Sequence, residues 1–295
     1  MSGKDLTPTV VALGYFDSVY LGHRKVIEEA KKLAEQLSAK VTVFTFDGNL
    51  RAALSLIDYK FVYSLEERKA IFAEMGINDV FVQSVDFNFL SMGKLAFLNW
   101  LNRKMNVVGY VCGDDYKFGK FAKGSIEDLA KYAEANSQIL KIVEPLIYGN
   151  KKISSSRIKI MLSAGDIKTA NELLGRPFSY TGTVVKGKGI GATMGFPTAN
   201  LKLAKGKQPL KLGVYGGIVT LDGKEYKSVI NFGSSPTFSG NEVLIEAHLS
   251  GEHGELYGKT ITVKFLEYIR EIRKFFSKED LEKQIAKDLD FFNCD

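Results

Sequence analysis

The hydrophobic period of this chain changes at Arg176-Pro177, and nothing else in the sequence limits its fold as much. Before that point, short apolar runs alternate with segments patterned at helical spacing. Val10–Leu13, Val41–Phe46, Val80–Gln83, Val107–Cys112 and Ile139–Val143 read as strands. Val26, Ile27, Ala30, Leu33, Ala34 and Leu37 share one helical face, and Lys94–Lys104 reads as a helix. Ser64-Leu65-Glu66-Glu67 is a capping box opening a helix that stops near Gly76, and Ser125-Ile126-Glu127-Asp128 opens another helix in the same way. This alternation specifies a parallel sheet covered on both faces. Beyond the break, Phe178–Val185, Val214–Leu221, Lys224–Ile230, Glu242–Leu249 and Lys259–Phe265 are short strand-like runs, and Asp222-Gly223 signals a type I′ hairpin. Strands so spaced imply an antiparallel barrel. Ser277 caps a last helix in which Leu281, Ile285 and Leu289 recur every four residues, suited to covering an open side of that barrel. Two short helical pieces, Ser156–Ala164 and Ile167–Leu174, end at Gly165 and Gly175 and link the halves. The expected organisation is an α/β domain over 1–160, a helical linker over 161–176 and a β-barrel domain with a C-terminal helix over 177–295.

A length of 295 residues agrees with two domains, and 45% hydrophobic with 25% charged residues is the composition of a globular chain with a full core. The net charge of +6 suits anionic small molecules. No run of Lys and Arg is long enough for a nucleic-acid arm, so no nucleic-acid partner is expected. Two cysteines, Cys112 and Cys294, exclude a disulfide framework and lack metal-ligand spacing; Cys112 ends an apolar run and is expected as a buried thiol. MSGKDLTPT has no apolar h-region and no apolar run approaches about 18 residues, so no membrane partner is expected and the cytosol is the expected compartment.

Chemistry concentrates in two stretches. Gly182–Leu201 reads GTVVKGKGIGATMGFPTANL. Gly187, Gly189 and Gly191 alternate with other residues, which lets backbone N–H groups approach an anion with no Cβ in the way. The stretch closes on Thr198 and Asn200, a hydroxyl and an amide of the kind that suit Mg²⁺ arriving with nucleotide phosphates. In the first half, Gly14–His23 reads GYFDSVYLGH; it follows a strand of a parallel sheet and precedes a helix N-terminus, where phosphate is favoured.

These stretches carry a family resemblance. The GFPTAN run resembles the signature of riboflavin kinases, and so do Gly213-Val214-Tyr215, NFGSSPTF at Asn231–Phe238, Glu246-Ala247-His248 and Leu256-Tyr257-Gly258. Gly14–His23 resembles the nucleotidyltransferase turn of prokaryotic FAD synthetases, as do VCGDDYKFGK at Val111–Lys120 and ISSSRIK at Ile153–Lys159. Both halves stand in family order over nearly the whole chain, and the chain is similar to the bifunctional riboflavin kinase/FAD synthetase family. The resemblance implies a Rossmann-like nucleotidyltransferase domain followed by a riboflavin kinase barrel. It implies ATP as co-substrate, Mg²⁺, and riboflavin, FMN, FAD, ADP and pyrophosphate as substrates and products.

The same resemblance assigns roles to residues. In the first half Gly14, Phe16, Asp17, Tyr20, Gly22, Asp115, Ser155 and Ser156 would bind ATP, with His23 as a catalytic donor and Arg157 on the leaving pyrophosphate. In the second half Glu246 would be the general base, Gly187, Gly189 and Gly191 the phosphate loop, and Thr198 with Asn200 the holders of the Mg–nucleotide. Pro236, Thr237, Phe238 and Arg270 would meet the flavin. There are departures. Tyr20 stands where the family has the first histidine of its His-x-Gly-His, and Gly48-Asn49-Leu50 stands for a Pro-His-Pro. Ala192 replaces an arginine, and Ile272 replaces the acid of an Arg-x-Glu that touches flavin. The lost histidines lead us to expect a weakened FAD-forming step, with a kinase-only enzyme or a non-enzymatic flavin-binding protein as the alternatives.

Overall fold

A computed structural model of the chain describes residues 5–47, 59–186, 198–234, 243–251, 254–273, 275 and 277–293. Gly187, Gly189, Gly191, Ala192, Pro236, Thr237, Phe238, the Gly48–Leu50 segment and Cys294 lie outside the described residues. The chain divides into two compact units, Met1–Ser155 and Ser156–Asp295.

The first unit is built on a five-stranded parallel sheet. Its strands are β1 (Asp5–Leu13), β2 (Lys40–Asp47), β3 (Val80–Ser84), β4 (Met105–Gly113) and β5 (Ile139–Val143), in the order β3-β2-β1-β4-β5. Val10, Val11 and Ala12 of the central strand are fully buried, as a strand covered on both faces requires. The helices are α1 (Leu21–Gln36), α2 (Leu65–Glu74), α3 (Phe87–Leu90), α4 (Lys94–Lys104) and α5 (Ile126–Ala135). α1 buries Val26, Ile27, Ala30, Leu33 and Ala34, the stripe read from the sequence, against the sheet. Both capping boxes are present, Ser64 with Glu67 on α2 and Ser125 with Asp128 on α5. The chain winds outward from β1 to β3, then crosses to β4 and β5 on the other side. The strand order therefore reverses between β1 and β4, and a crevice opens at their carboxyl ends. The turns after those two strands hold Gly14–His23 and Asp114-Asp115. Neither α3 nor a small hairpin, β6 (Ile147–Tyr148) with β7 (Lys151–Lys152), is expected from the sequence pattern.

The second unit opens with α6 (Ser155–Ala164) and α7 (Ile167–Leu174). α7 is capped by Asp166, ended by left-handed Gly175, and packed on the sheet. Six strands follow: β8 (Phe178–Thr183), β9 (Thr198–Lys202), β10 (Gly213–Leu221), β11 (Lys224–Ser234), β12 (Val243–Leu249) and β13 (Thr260–Arg270). They form one antiparallel sheet in the order β8-β13-β10-β11-β12-β9. The sheet curls until its edges meet: beyond β8, the Val185 N–H donates to the Asn200 carbonyl of β9 at 2.8 Å. Phe178, Tyr180, Tyr215, Phe232 and Phe265 fill the inside of the curl. Asp222 and Gly223 both have positive φ, 48° and 79°, as a type I′ turn demands. α8 (Lys278–Asn293) packs on β10 and β11, where Gly216 leaves room for the Phe292 ring. Several boundaries differ from the sequence reading: β8 stops at Thr183 and β11 runs on to Ser234. β13 runs on past Phe265 to Arg270, and the Thr198–Asn200 pair sits in a strand rather than at the foot of a glycine loop. Among the described residues no helix is long and apolar enough to cross a membrane.

Candidate functional site

Each unit holds a site of its own. In the first, the turn after β1 is held in a conformation that its residues do not favour alone. Phe16 and Val19 adopt positive φ, 52° and 42°, and both are buried. A β-branched residue there costs on the order of 1–3 kcal/mol, so the surroundings must impose it. Asp17 does much of this. Its carboxylate accepts from Tyr59 Oη at 2.8 Å and from the Val62 N–H at 3.0 Å, and its carbonyl accepts from the Tyr63 N–H at 3.1 Å. Ser18 is fully buried and its hydroxyl meets the Ser155 hydroxyl at 2.8 Å. This bond joins the Gly14–His23 turn to the serine segment, two stretches that the sequence offered separately. Asp17 thus serves as a brace for the turn.

Tyr20 is the N-cap of α1, and its side chain takes no first-turn N–H. Its ring lies 4.0 Å, centroid to centroid, from that of His23, while Phe16 meets the other side of His23 edge-on at 5.2 Å. Gly22 permits this stacking, since a Cβ there would come within 2.6 Å of the Tyr20 ring; one at Gly14 would come within 2.8 Å of Phe16. Nδ1 of His23 is buried with no hydrogen-bond partner among the described residues. Burial drives the imidazole pKa down to about 3; Asp115 opposes this and Arg68 adds to it. The ring is neutral at pH 7. The Tyr20 phenol is raised, chiefly by burial and then by Asp115, while Lys152 opposes. At the end of β4, Lys152 bridges the carboxylates of Asp114 and Asp115 at 3.0 and 2.8 Å. Cys112, the buried thiol below them, is pushed up to about 12 by burial, with Asp115 and Asp114 adding.

Arg68 was missed by sequence reasoning. It is buried and donates to the Tyr15 carbonyl at 2.9 Å, Thr45 Oγ1 at 2.8 Å and the Phe46 carbonyl at 2.9 Å, tying the turn after β1 to the end of β2. Burial lowers its pKa; Tyr15 and Asp17 oppose. Ser156 is exposed. On α6, Ser155 and Lys159 are four residues apart and share a stripe, whereas Arg157 falls roughly 160° round the helix from Ser155.

The second unit brings its predicted residues into one row. Glu246 of β12 faces Asn200 of β9 on one side and Asn231 of β11 on the other. Asn231 in turn faces Val214 of β10, and Val214 faces Arg270 of β13. Cross-strand partners project to the same face, so the row Arg270–Val214–Asn231–Glu246–Asn200 crosses five strands on one side of the sheet. A neighbouring row carries Val229, His248 and Thr198. Apart from Asn200, which is buried at the row's end, the two rows floor a cavity of about 350 Å³ that is walled by Ile272, Phe275, Leu281 and Ile285. That is the low end of the range for small-molecule sites. Asn231 Nδ2 donates to Glu246 Oε2 at 3.0 Å, and Asn200 Nδ2 donates to the Thr198 carbonyl at 3.3 Å. Thr198, Asn200 and Glu246 therefore lie together on adjacent strands, and Arg270 lies at the other end of the row.

Comparison with known proteins gives each half of the chain a family. Residues 2–157 match the family model of FAD synthetase and residues 174–293 that of riboflavin kinase. A bifunctional riboflavin kinase/FMN adenylyltransferase of Listeria monocytogenes is 34% identical over 282 residues, covering 95% of this chain and 90% of the relative. The Bacillus subtilis protein of the same description is 34% identical over 290 residues, covering 97% and 92%. The chain belongs to this family. A solved structure described as a macrolide-efflux protein from Streptococcus pneumoniae superposes on it with a TM-score of 0.90 at 30% identity, covering 99% of this chain and 96% of that one.

With the family established, the departure at Ile272 acquires a structural counterpart. Arg270 donates from Nε and Nη2 to the carboxylate of Asp288 on α8, with a shortest contact of 2.7 Å, and from Nη1 to the Glu271 carbonyl at 3.1 Å. Gln284 Nε2 donates to the same carboxylate at 2.9 Å. Ile272, where the family carries an acid, lines the cavity instead.

Proposed function

We propose that the chain makes FMN and then FAD, its second unit phosphorylating riboflavin with ATP and its first transferring AMP from ATP to FMN. The observation that carries the kinase step is the cross-strand facing of Glu246 and Asn200, with Thr198 two residues from Asn200 and, like Glu246, on the cavity floor. Riboflavin's ribityl 5′-oxygen attacks the γ-phosphorus, the bond to the β–γ bridging oxygen breaks, and ADP leaves. Glu246 takes the hydroxyl proton. Asn231 holds one carboxylate oxygen of Glu246, which leaves the other for that proton. Thr198 and Asn200 supply a hydroxyl and an amide oxygen, the hard donors that a nucleotide-bound Mg²⁺ takes, and the amide N–H of Asn200 is already engaged by the Thr198 carbonyl. Among the described residues no group of three or more His, Cys, Asp or Glu can hold a metal, which fits an ion that arrives with phosphates. Such an ion would neutralise phosphate charge.

In the first unit, an FMN phosphate oxygen attacks the α-phosphorus of ATP and pyrophosphate leaves. Positioning and aligned donors suffice for this chemistry. The braced turn, the α1 N-terminus and His23 would cradle the phosphates, with Ser155 contributing from the serine segment. Asp115 would hold the nucleoside end. Tyr20 supplies one neutral donor where the family has a histidine, which leaves adenylyl transfer slower than phosphorylation. The kinase-only and non-enzymatic readings are not favoured, because relatives described as bifunctional match nearly the whole length of the chain. Incubating the chain with riboflavin, ATP and Mg²⁺ and separating the flavins tests the reading. FMN accumulating ahead of FAD is expected, and absence of FMN overturns it.

A further inference from the structure

Asp288 sits on the last helix and reaches into the flavin end of the cavity. Its carboxylate is buried, 2% exposed, and makes a bidentate pair with Arg270. Ile285 and Leu281, about one and two turns earlier on α8, line the same cavity. With Nε, one Nη2 hydrogen and one Nη1 hydrogen engaged, the guanidinium keeps, among the described residues, one N–H on each terminal nitrogen for a ligand. Ile272 cannot hold the arginine; it packs over Gly233, where a Cβ would come within 2.9 Å of its Cδ1. The Phe275 ring lies 5.8 Å from the guanidinium carbon.

We propose that Asp288 is a positioning residue for flavin recognition: it fixes Arg270 so that the two remaining N–H groups meet carbonyl oxygens of the flavin ring, which makes docking of α8 a condition of riboflavin binding. The inference rests on the kinase reading of this site. The acid that holds the arginine stands on the terminal helix, so one carboxylate serves both helix docking and ligand orientation. The opposite end of the row, where Glu246 and Asn200 face each other, lies three and four strands from Arg270 and is untouched by the pair.

The test is steady-state kinetics of FMN formation by the full chain and by Asp288→Asn. Removing the charge from a buried hydrogen-bonded pair costs enough to raise KM for riboflavin by about tenfold or more. KM for ATP and kcat should stay within about threefold, because the lost contact is made equally in the ground and transition states. Asp288→Glu should recover part of the loss. Binding of lumiflavin, which has the ring but no ribityl chain, should weaken in parallel when followed by flavin fluorescence. If Asp288→Asn fails to fold, the double variant Arg270→Met/Asp288→Met decides, since replacing a buried ion pair by apolar residues of similar volume is tolerated; it should fold and show the same rise in riboflavin KM. Unchanged riboflavin KM with normal wild-type turnover overturns the proposal alone, and so does an equal loss in every kinetic parameter. A wild-type chain that makes no FMN overturns the kinase reading and the proposal with it.

Discussion

The Asn231 amide donates to Glu246 Oε2 at 3.0 Å across β11 and β12. The bond fixes which carboxylate oxygen faces the cavity. In the proposed kinase reading, where Glu246 is the base, Asn231 would orient its carboxylate. Glu246→Gln, which keeps the shape and removes the basicity, should lower riboflavin phosphorylation by about 10²–10⁴-fold. Asn231→Ala should cost about tenfold, the worth of one hydrogen bond to a charged group. FMN production under saturating riboflavin checks both, and a Glu246→Gln chain with near-normal turnover would remove Glu246 as the base.

Tyr20 stacks on His23 and stays neutral, because burial and Asp115 hold its phenol above the usual range. It can donate one hydrogen bond but cannot carry the positive charge that would meet a leaving pyrophosphate. Losing one preorganised donor of this kind costs roughly 10²–10³ in rate. Tyr20→His should raise the rate of FAD formation from FMN and ATP while riboflavin phosphorylation stays as it was. No gain in FAD formation would show that position 20 does not limit the step.

Most of the fold could be read from the sequence, and the parts that could not share a cause. Periodicity and caps gave α1, the two capping boxes, the Asp166 and Gly175 ends of α7 and the Asp222-Gly223 hairpin, because each depends on residues within a few positions. β9 escaped because Thr198–Lys202 has little apolar signal and gains its strand character from β12. The site rows escaped for a related reason: cross-strand register is a long-range property, and a motif names Glu246 and Asn200 without saying that they face each other. Arg68 stands among Glu66, Glu67 and Lys69, and Asp288 among Lys287 and Asp290, so both read as solvated charges. Their burial is decided by strand ends and a guanidinium distant in sequence.

The neutral His23 gives the first unit a pH signature. Its folded pKa of about 3 lies below the unfolded value of about 6.5. Between those values the unfolded chain takes up a proton that the folded chain refuses, so stability is present above about pH 6.5 and is lost as pH falls towards 3. The slope is at most about 1.4 kcal/mol per pH unit. The chain has one tryptophan, Trp100, which lies in the aromatic core of this unit, so its emission follows the relevant transition. Urea unfolding monitored there should show a steeper loss from pH 7 to pH 5 for the wild type than for His23→Asn. Equal losses would mean that the imidazole titrates normally.

Arg68 offers the sharpest test of how the adenylyl site is built. One guanidinium serves the Tyr15 carbonyl, the Thr45 hydroxyl and the Phe46 carbonyl, and so ties the strained turn after β1 to the end of β2. Arg68→Met keeps much of the aliphatic volume but strands these buried acceptors, at a cost of about 2–4 kcal/mol. Arg68→Lys should recover little, because a single ammonium cannot span the fork that the guanidinium fills. Both variants should lower the urea midpoint of the Trp100 transition and raise KM for ATP in FAD formation, since Phe16 and Val19 keep their positive φ only while the turn is held. Riboflavin phosphorylation by the same samples serves as the internal control and should be unaffected. An Arg68→Met chain with unchanged stability and unchanged FAD formation would show that the Asp17 and Ser18 contacts hold the turn without it.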